Sequence, residues 1–314
     1  MDKLIIVAGP TAVGKSDFAV KLAKRINGEI ISADSIQVYK GFDIGSAKIT
    51  KEEMQGVKHY LIDVLEPHCD FNVTVFQKLA KEAISEIIAK GKIPIIAGGT
   101  GFYIQSVLYD IDFTESKGEI SKYRLELENI YKEKGQDYLF ELLKECDPES
   151  ANLIHKNNVK RVIRALEFYK ETGKKISDHN SEQRSNSSKY NYCYFVLNDD
   201  RACVYQRIDN RVDKMISDGL VDEVKALVNL GLSEKNLSMQ GIGYKEILQY
   251  LNNEITLEEA SNNIKLNSRH FAKRQLTWFN REKDIVWLNR PDFSNNTDAI
   301  LDFALHVLKD KKIL

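Results

Sequence analysis

The feature that most constrains the fold of this chain is a glycine-rich segment close to its start. Positions 9–16 read GPTAVGKS, and the apolar run LIIVA at positions 4–8 precedes them. After the segment, Phe18, Leu22 and Ile26 recur at helical spacing. The pattern predicts a buried strand, a tight loop and a helix, which is the setting in which G-x-x-x-x-G-K-[ST] has physical meaning.

This strand–loop–helix segment predicts a binding loop for phosphate groups. Backbone N–H groups of the loop and the positive end of the helix would face an anion. The Lys15 ammonium would neutralise terminal phosphate oxygens, and the Ser16 hydroxyl would help to hold Mg²⁺. We therefore expect a diphosphate or triphosphate ligand. The loop residues assigned to it are Gly9, Pro10, Thr11, Ala12, Val13, Gly14, Lys15 and Ser16.

Length and charge limit the kind of protein and partner. The 314 residues are enough for one large α/β domain or two smaller ones. The formal net charge is −1, so a nucleic-acid site would have to be a local basic patch. We expect no membrane span, because the apolar runs are short. The four scattered cysteines form no C-x-x-C pair, which favours free thiols in a reducing cytoplasm.

Strand-like and helix-like segments alternate through the first hundred residues. Further strand-like runs lie at 29–33 and 93–97. This alternation predicts an α/β fold with a parallel sheet and helices on both faces. Ligands of such sheets lie beyond the carboxyl ends of the strands. The phosphate loop, the pair Asp34-Ser35 and the glycine-rich run at 98–101 all follow predicted strands, so we expect them to meet in one cleft.

From residue 114 onward the sequence becomes charged and mostly helical in pattern. We predict that 114–191 form a mostly helical insertion into the α/β core, whose two parts are 1–113 and 192–314. The polar run at 180–189 predicts an exposed loop.

Two motifs at strand ends leave their roles open on position alone. Asp34 would hold Mg²⁺ or act as a base, or it would simply cap a turn, which Asp does well. The GGTG run at 98–101 allows close approach of a ligand and offers the Thr100 hydroxyl. A plain strand-to-helix turn explains this run equally well.

Three groups of basic residues are candidates for phosphate contacts. Lys160, Arg161 and Arg164 would project from one helix, although a solvated charged face explains them as well. Arg207 and Arg211 lie one helical turn apart and would clamp a diphosphate or pair with neighbouring carboxylates. The third group suits RNA contacts with base stacking, although a core position explains Phe271, Leu276 and Phe279 equally well. It comprises Arg269, Lys273, Arg274, Trp278 and Phe279.

The ordered set of motifs closely resembles the tRNA dimethylallyltransferase family, the bacterial tRNA isopentenyltransferases. The resemblance extends over nearly the whole chain. Val13, Ser16 and Ile36 differ from residues that are frequent in the family, but none of these differences removes a needed functional group. The matching segments are GPTAVGKS (9–16), DSIQVYKGFDIGSAK (34–48), HYLIDVLEP (59–67), GGTGFY (98–103), VKRVIRALEFYKETGK (159–174), the segment at 207–220, SMQGIGYKE (238–246) and SRHFAKRQLTWF (268–279).

The resemblance implies a fold and a reaction. The fold is a P-loop NTPase-like sheet core with a helical tRNA-binding insertion. The reaction is transfer of a dimethylallyl group from dimethylallyl diphosphate to N6 of adenosine 37, next to the tRNA anticodon, with release of diphosphate. The phosphate loop would then hold a diphosphate leaving group rather than a nucleoside triphosphate.

The resemblance also implies roles at the reaction centre. Lys15 and Thr11, with Mg²⁺ on Ser16, would neutralise the departing diphosphate, and Arg211 would add a contact ahead of Arg207. A carboxylate would accept the N6 proton, and a hydroxyl would line the reaction channel. The complete catalytic set is Thr11, Lys15, Asp34 as the base, Thr100 in the channel and Arg211.

For RNA, the resemblance implies that the target adenine leaves the anticodon-loop stack to reach the cleft. We expect a cytoplasmic monomer that binds the anticodon stem-loop. The main alternative is a small-molecule or nucleotide kinase, which uses the same loop and Mg²⁺ but leaves the basic helices unexplained. The expected tRNA contacts are Asp34, Ser35, Ile36, Gln37, Thr100, Arg124, Lys160, Arg161, Arg164, Gly241, Gly243, Tyr244 and Lys245.

Overall fold

The computed structural model describes residues 1–113 and 122–314. Contacts divide these residues into two units, the first formed by 1–108 with 189–314 and the second by 109–188. The predicted start of the insertion, at residue 114, lies outside the described residues.

One six-stranded sheet forms the centre of the first unit. Its spatial order is β3-β2-β4-β1-β5-β6, and every neighbouring pair is parallel. The predicted parallel α/β sheet is therefore confirmed. The strands are β1 (Asp2–Ala8), β2 (Gly28–Ala33), β3 (His59–Tyr60), β4 (Ile93–Gly98), β5 (Tyr190–Asn198) and β6 (Ile285–Asn289).

Helices flank this sheet and explain why its central strands are continuous apolar runs. Phe18 and Leu22 of the first helix share one buried cluster with Ile300 and Leu308 of the last helix and with β1. The helices of the first unit are α1 (Lys15–Ile26), α2 (Val73–Ala89), α3 (Gly101–Leu108), α8 (Arg201–Ser217), α9 (Leu220–Asn229), α10 (Tyr244–Leu251), α11 (Leu257–Phe279) and α12 (Thr297–Asp310).

The register of the sheet brings three strand ends level. Gly98 at the end of β4 pairs with Ala8 of β1 on one side and with Ala33 of β2 on the other. The phosphate loop, Asp34 and the 98–101 run therefore leave the sheet at one edge, as the sequence predicts.

The second unit is helical and has its own apolar core. Leu127, Leu139 and Leu143 of its longest helix pack against Val162 and Leu166. That helix bends sharply at Gly135, where φ is 79°. The helices of the second unit are α4 (Lys122–Cys146), α5 (Pro148–Leu153), α6 (Val159–Thr172) and α7 (Ile176–Ser185).

The predicted exposed loop at 180–189 is wrong over its first half, because α7 continues to Ser185. The first turn of α7 is fixed by tertiary bonds: the Ser177 N–H and hydroxyl donate to the buried Asp147 carboxylate at 3.0 and 2.7 Å. This anchoring outweighs the modest helix preference of the Ser- and Asn-rich sequence.

Within residues 1–113 and 122–314, no helix is both long enough and apolar enough to cross a membrane. The four cysteines are free thiols.

Candidate active site

The phosphate loop joins β1 to α1 and has the conformation of an anion cradle. Gly14 precedes the helix with φ at 95°, a left-handed conformation that favours glycine. The Lys15 ammonium donates to the Pro10 carbonyl at 2.7 Å, which curls the loop around this side chain. The Ser16 hydroxyl is exposed on the first turn of α1 and makes no hydrogen bond to the described residues.

Lys15 experiences an unusual electrostatic environment. Burial in the loop and the positive charge of Arg211 lower its pKa to about 7, and the Asp34 carboxylate partly opposes this effect. The charges of Lys15, Arg211 and Asp34, three of the predicted catalytic residues, therefore lie close enough to interact. A bound anion would favour the charged form of Lys15.

Arg207 and Arg211 have different partners although they share one face of α8. Arg207 forms an ion pair with the buried Asp199. Arg211 makes no ion pair with the described residues and points its Nη1 at the Thr11 hydroxyl, 3.5 Å away. Of the two guanidinium groups, Arg211 alone reaches the phosphate loop with an unneutralised charge.

Asp34 follows β2 and uses only one of its two carboxylate oxygens within the protein. Its Oδ1 accepts the N–H groups of Ile36 and Gln37 at 2.8 and 3.2 Å. No hydrogen bond from the described residues reaches Oδ2. The turn-capping role and a chemical role for Asp34 are therefore compatible.

The neighbouring residues of this loop differ in what they offer a ligand. Ser35 is exposed, and Ile36 is half-buried. The Gln37 amide donates to the Ser46 carbonyl at 3.2 Å and accepts from the Ser32 hydroxyl at 3.3 Å. Its side chain is thus occupied inside the protein, which argues against a direct contact of this amide with RNA.

Thr100 stands at the start of α3, level with Asp34. Its N–H lies 3.4 Å from the Ala33 carbonyl, and its hydroxyl makes no hydrogen bond to the described residues. The half-buried hydroxyl can therefore face a ligand in the cleft.

Gln275 of α11 is a site residue that sequence reasoning missed. It accepts the Thr11 N–H at 2.8 Å and donates to the Gly99 carbonyl at 3.0 Å. Gln275 lies inside KRQLTW, between basic and aromatic residues, and no sequence pattern there indicates a contact with the phosphate loop. One buried amide thus joins the phosphate loop to the glycine-rich run at 98–101.

Arg290 is a second missed residue, and it follows β6 in a short 3₁₀ turn, Arg290–Phe293. Its Nε donates to the Val13 carbonyl at 3.2 Å. Its Nη2 lies 2.9 Å from the place a Cβ would occupy at Gly14. No carboxylate of the described chain pairs with it, so it adds positive charge beside the phosphate loop.

The residues at 241–245 adjoin the Asp34 loop. A Cβ at Gly241 would lie 3.2 Å from the Ile36 side chain. Gly243 precedes α10 with φ at 100°, and Lys245 is half-exposed beside Glu246. Tyr244 is fully buried, and its hydroxyl donates to Glu223 at 2.8 Å. This burial argues against an RNA contact by the Tyr244 side chain.

In the second unit, the predicted basic group divides into two kinds. Lys160 and Arg161 are exposed at the start of α6. Arg164 and Arg124 are half-buried, and both donate to the buried Glu167 carboxylate, at 3.2 and 3.3 Å. Lys160 and Arg161 are the more accessible of these cations.

The basic and aromatic residues of α11 include both residues held inside the protein and residues accessible to a ligand. Arg269 makes a bidentate ion pair with Asp209, with N–O distances of 2.8 to 3.0 Å. Phe279 belongs to the core. Lys273 and Arg274 are exposed, and Trp278 is half-buried.

Known proteins resemble this chain over its whole length. A family model described as IPP transferase matches residues 37–282. A tRNA dimethylallyltransferase of Lachnoclostridium phytofermentans is 56% identical over 314 residues, which are 100% of both chains. The crystal structure of a full-length tRNA isopentenylpyrophosphate transferase from Bacillus halodurans is 44% identical, with a TM-score of 0.73, over 99% of this chain and 98% of that one. A eukaryotic dimethylallyltransferase acting on tRNA is 32% identical, with a TM-score of 0.80, over 94% of this chain and 75% of that one.

Proposed function

Because the chain belongs to the IPP transferase family, we propose that it transfers a dimethylallyl group from dimethylallyl diphosphate to N6 of adenosine 37 in tRNA. The observation that carries this proposal is the 56% identity, over both full lengths, to a tRNA dimethylallyltransferase. The level ends of β1, β2 and β4 support it, since they align a phosphate loop with a carboxylate. Because the proposed acceptor is tRNA, we also propose that the protein acts in the cytoplasm.

The donor diphosphate binds to the phosphate loop. Backbone N–H groups at the start of α1 and the Lys15 ammonium contact its oxygens. Arg211 contacts the same group from α8, which is supported by its distance of 3.5 Å from Thr11 and by the absence of an ion pair between Arg211 and the described residues. These positive groups stabilise the charge that develops as diphosphate departs.

Mg²⁺ is the cofactor we propose, with Ser16 as its protein ligand. The exposed hydroxyl of Ser16 is a hard oxygen donor of the kind that Mg²⁺ prefers, and it has no competing bond among the described residues. When bound, the ion would neutralise part of the diphosphate charge. Asp199, Asp200 and Cys203 also cluster, but the Asp199 oxygens are taken by Arg207 and by the Asp200 N–H.

The acceptor reacts beside Asp34. The amine of adenine is a poor nucleophile, because its lone pair is delocalised into the ring. Asp34 Oδ2 accepts a hydrogen bond from N6 and takes its proton as the new N6–C1 bond forms. The C1–O bond to diphosphate breaks, and its electron pair leaves with the diphosphate. The Thr100 hydroxyl lines the space between donor and base.

The RNA is held by loops of the first unit and by cations of the second. Ser35, Ile36 and the backbone at 241–243 border the flipped base, as expected for enzymes that act on an extruded nucleotide. Lys160 and Arg161 bind the phosphate backbone, supported by their exposure at one end of α6.

A single assay tests the proposed function. Purified protein, Mg²⁺ and labelled dimethylallyl diphosphate are mixed with an anticodon stem-loop that carries adenosine 37. We expect label in the RNA and none in a matched stem-loop with guanosine 37. Absence of label from RNA, with phosphate transfer from ATP to a small molecule, would contradict the proposal and favour a kinase.

A further inference from the structure

The Gln275 side chain occupies a junction that the proposed mechanism leaves without a role. This amide is 5% exposed on α11. Its oxygen accepts the Thr11 N–H at 2.8 Å, and its nitrogen donates to the Gly99 carbonyl at 3.0 Å. The two backbone groups belong to segments 88 residues apart, one holding the phosphate loop and the other leading to Thr100.

The approach of α11 to the 98–101 run leaves no space for side chains there. A Cβ at Gly99 would lie 2.0 Å from Gln275 Nε2, and a Cβ at Gly101 would lie 2.2 Å from the Trp278 ring. These glycines therefore permit the close packing that lets one amide reach both loops. A β-carbon at Gly99 would displace the Gln275 amide, and one at Gly101 would displace the Trp278 ring.

The helix that carries Gln275 is also attached to the helix that carries Arg211. Arg269 of α11 pairs bidentately with Asp209 of α8, and Lys265 pairs with Asp213 at 2.5 Å. α11 therefore contacts the Thr11 N–H, the Gly99 carbonyl next to Thr100, and the helix that carries Arg211.

We propose that Gln275 is a positioning residue, whose amide fixes the phosphate loop relative to the Thr100 segment and thereby aligns donor and acceptor. The Thr11 N–H is engaged by Gln275 and is not a phosphate ligand. The Thr11 hydroxyl lies 3.5 Å from Arg211 Nη1. The proposal rests on the proposed function for the identity of the reactants, but the binding of diphosphate alone tests it.

The first experiment compares Gln275→Ala with Asn267→Ala. Asn267 is the matched control, because it also joins α11 to another helix through an amide, donating to Glu246 at 2.8 Å without touching either loop. Calorimetry measures the affinity of each variant for inorganic diphosphate with Mg²⁺, and kinetics measure kcat and KM for the donor. We expect Gln275→Ala to weaken diphosphate binding about tenfold and to lower kcat about a hundredfold, as small displacements of reacting groups do.

Asn267→Ala should stay within about twofold of the unsubstituted protein in both measurements, even where it lowers the melting temperature comparably. Loss of stability in Gln275→Ala with unchanged diphosphate affinity and unchanged kcat would overturn the proposal. A chain that binds diphosphate but never prenylates RNA would overturn the proposed function alone.

A second pair of variants tests the contact itself. Gly99→Ala should be strongly impaired in diphosphate binding, because its methyl group meets the Gln275 amide. In the Gln275→Ala background, the same change should cause little further loss, since the amide is gone. Equal losses from Gly99→Ala in both backgrounds would contradict the proposed junction. Gln275→Glu, which keeps the acceptor but has no N–H for the Gly99 carbonyl, should also weaken binding.

Discussion

At the scale of single residues, Asp34 shows how one carboxylate can serve both structure and chemistry. Oδ1 is held by two backbone N–H groups, so the second oxygen has a fixed direction before any substrate binds. Preorganisation of this kind lowers the cost of orienting a base in the transition state.

Asp34→Asn should separate these two tasks. The amide oxygen can keep the turn, but the amide nitrogen cannot accept the N6 proton, so kcat should fall about 10²- to 10³-fold. The dissociation constant for tRNA should change less than about threefold, because the loop keeps its shape. Single-turnover kinetics measure the rate of transfer, and filter binding measures the dissociation constant for tRNA. Parallel losses of rate and affinity would contradict the base role.

Lys15 should make diphosphate binding depend on pH. Its pKa of about 7 means that the amine is largely neutral at pH 8 in the free protein, whereas the bound anion favours the ammonium. Binding at pH 8 should therefore take up a proton, and affinity should decline as pH rises above 7. Calorimetry in buffers of different ionisation enthalpy measures this uptake.

The control for this experiment is Lys15→Arg, whose guanidinium stays charged at every pH of interest. Both proteins share the protonation of diphosphate itself, so the difference between them isolates Lys15. Identical proton uptake in the two proteins would show that Lys15 is already charged before binding.

Arg290 should contribute to diphosphate affinity although it lies outside every glycine-rich motif. Its guanidinium touches the loop at Val13 and has no carboxylate partner in the described chain. Arg290→Gln should weaken diphosphate binding about tenfold, because a nearby unpaired cation is lost. Arg290→Lys keeps the charge and should recover part of the affinity. A glutamine variant that binds diphosphate as the unsubstituted protein does would remove Arg290 from the site.

At the scale of elements, the sequence was sufficient to predict the sheet and the meeting of three motifs at its edge. Strand and helix signals are local, and the parallel arrangement follows from their alternation. Gln275 and Arg290 could not be predicted in this way, because they reach the phosphate loop from 264 and 277 residues away. Nothing in their own neighbourhood indicates that contact. The burial of Tyr244, which argues against an RNA contact by its side chain, likewise could not be predicted from its neighbours in the sequence.

The segment at 43–45, which follows Asp34 in the chain, is also held by a residue that is distant in the sequence. Glu223 of α9 accepts three successive backbone N–H groups, those of Asp43, Ile44 and Gly45, at 2.7 to 3.1 Å. It also accepts the Tyr244 hydroxyl at 2.8 Å. One carboxylate therefore accepts hydrogen bonds from four donors of two distant segments.

Glu223→Gln should lower the free energy of unfolding by about 1–3 kcal/mol. The new amide NH₂ group would face N–H or O–H donors and could not accept hydrogen bonds from them. Urea unfolding measures the loss. Tyr244→Phe, which removes only one donor, should cost less, and Glu52→Gln on the exposed surface should cost about nothing. A glutamine variant as stable as the unsubstituted protein would mean that this carboxylate is not needed to hold the loop.

At the scale of the whole molecule, the charge balance determines how tRNA is recognised. With a net charge of −1, the protein has no general attraction for a polyanion. We therefore expect the affinity for tRNA to come mainly from cations that are exposed and have no carboxylate partner among the described residues. Arg124 and Arg164 share the Glu167 carboxylate, and Arg207 and Arg269 are also paired. Four described cations of the second unit are expected to contact RNA. Of these, Lys160 and Arg161 of α6 are exposed and have no carboxylate partner among the described residues.

Arg161→Ala should therefore weaken tRNA binding severalfold and reduce the slope of log K against log [salt] by about 1, the change expected when one phosphate contact is lost. Its control is Lys170→Ala near the other end of α6, where the ammonium lies 5.7 Å from the Tyr123 ring. That variant should leave the slope unchanged. Diphosphate affinity should be unaffected in both, because neither residue belongs to the phosphate loop or makes a hydrogen bond to it. An unchanged slope in Arg161→Ala would mean that the RNA backbone is bound by other cations, with the exposed Lys273 and Arg274 of α11 the next to test.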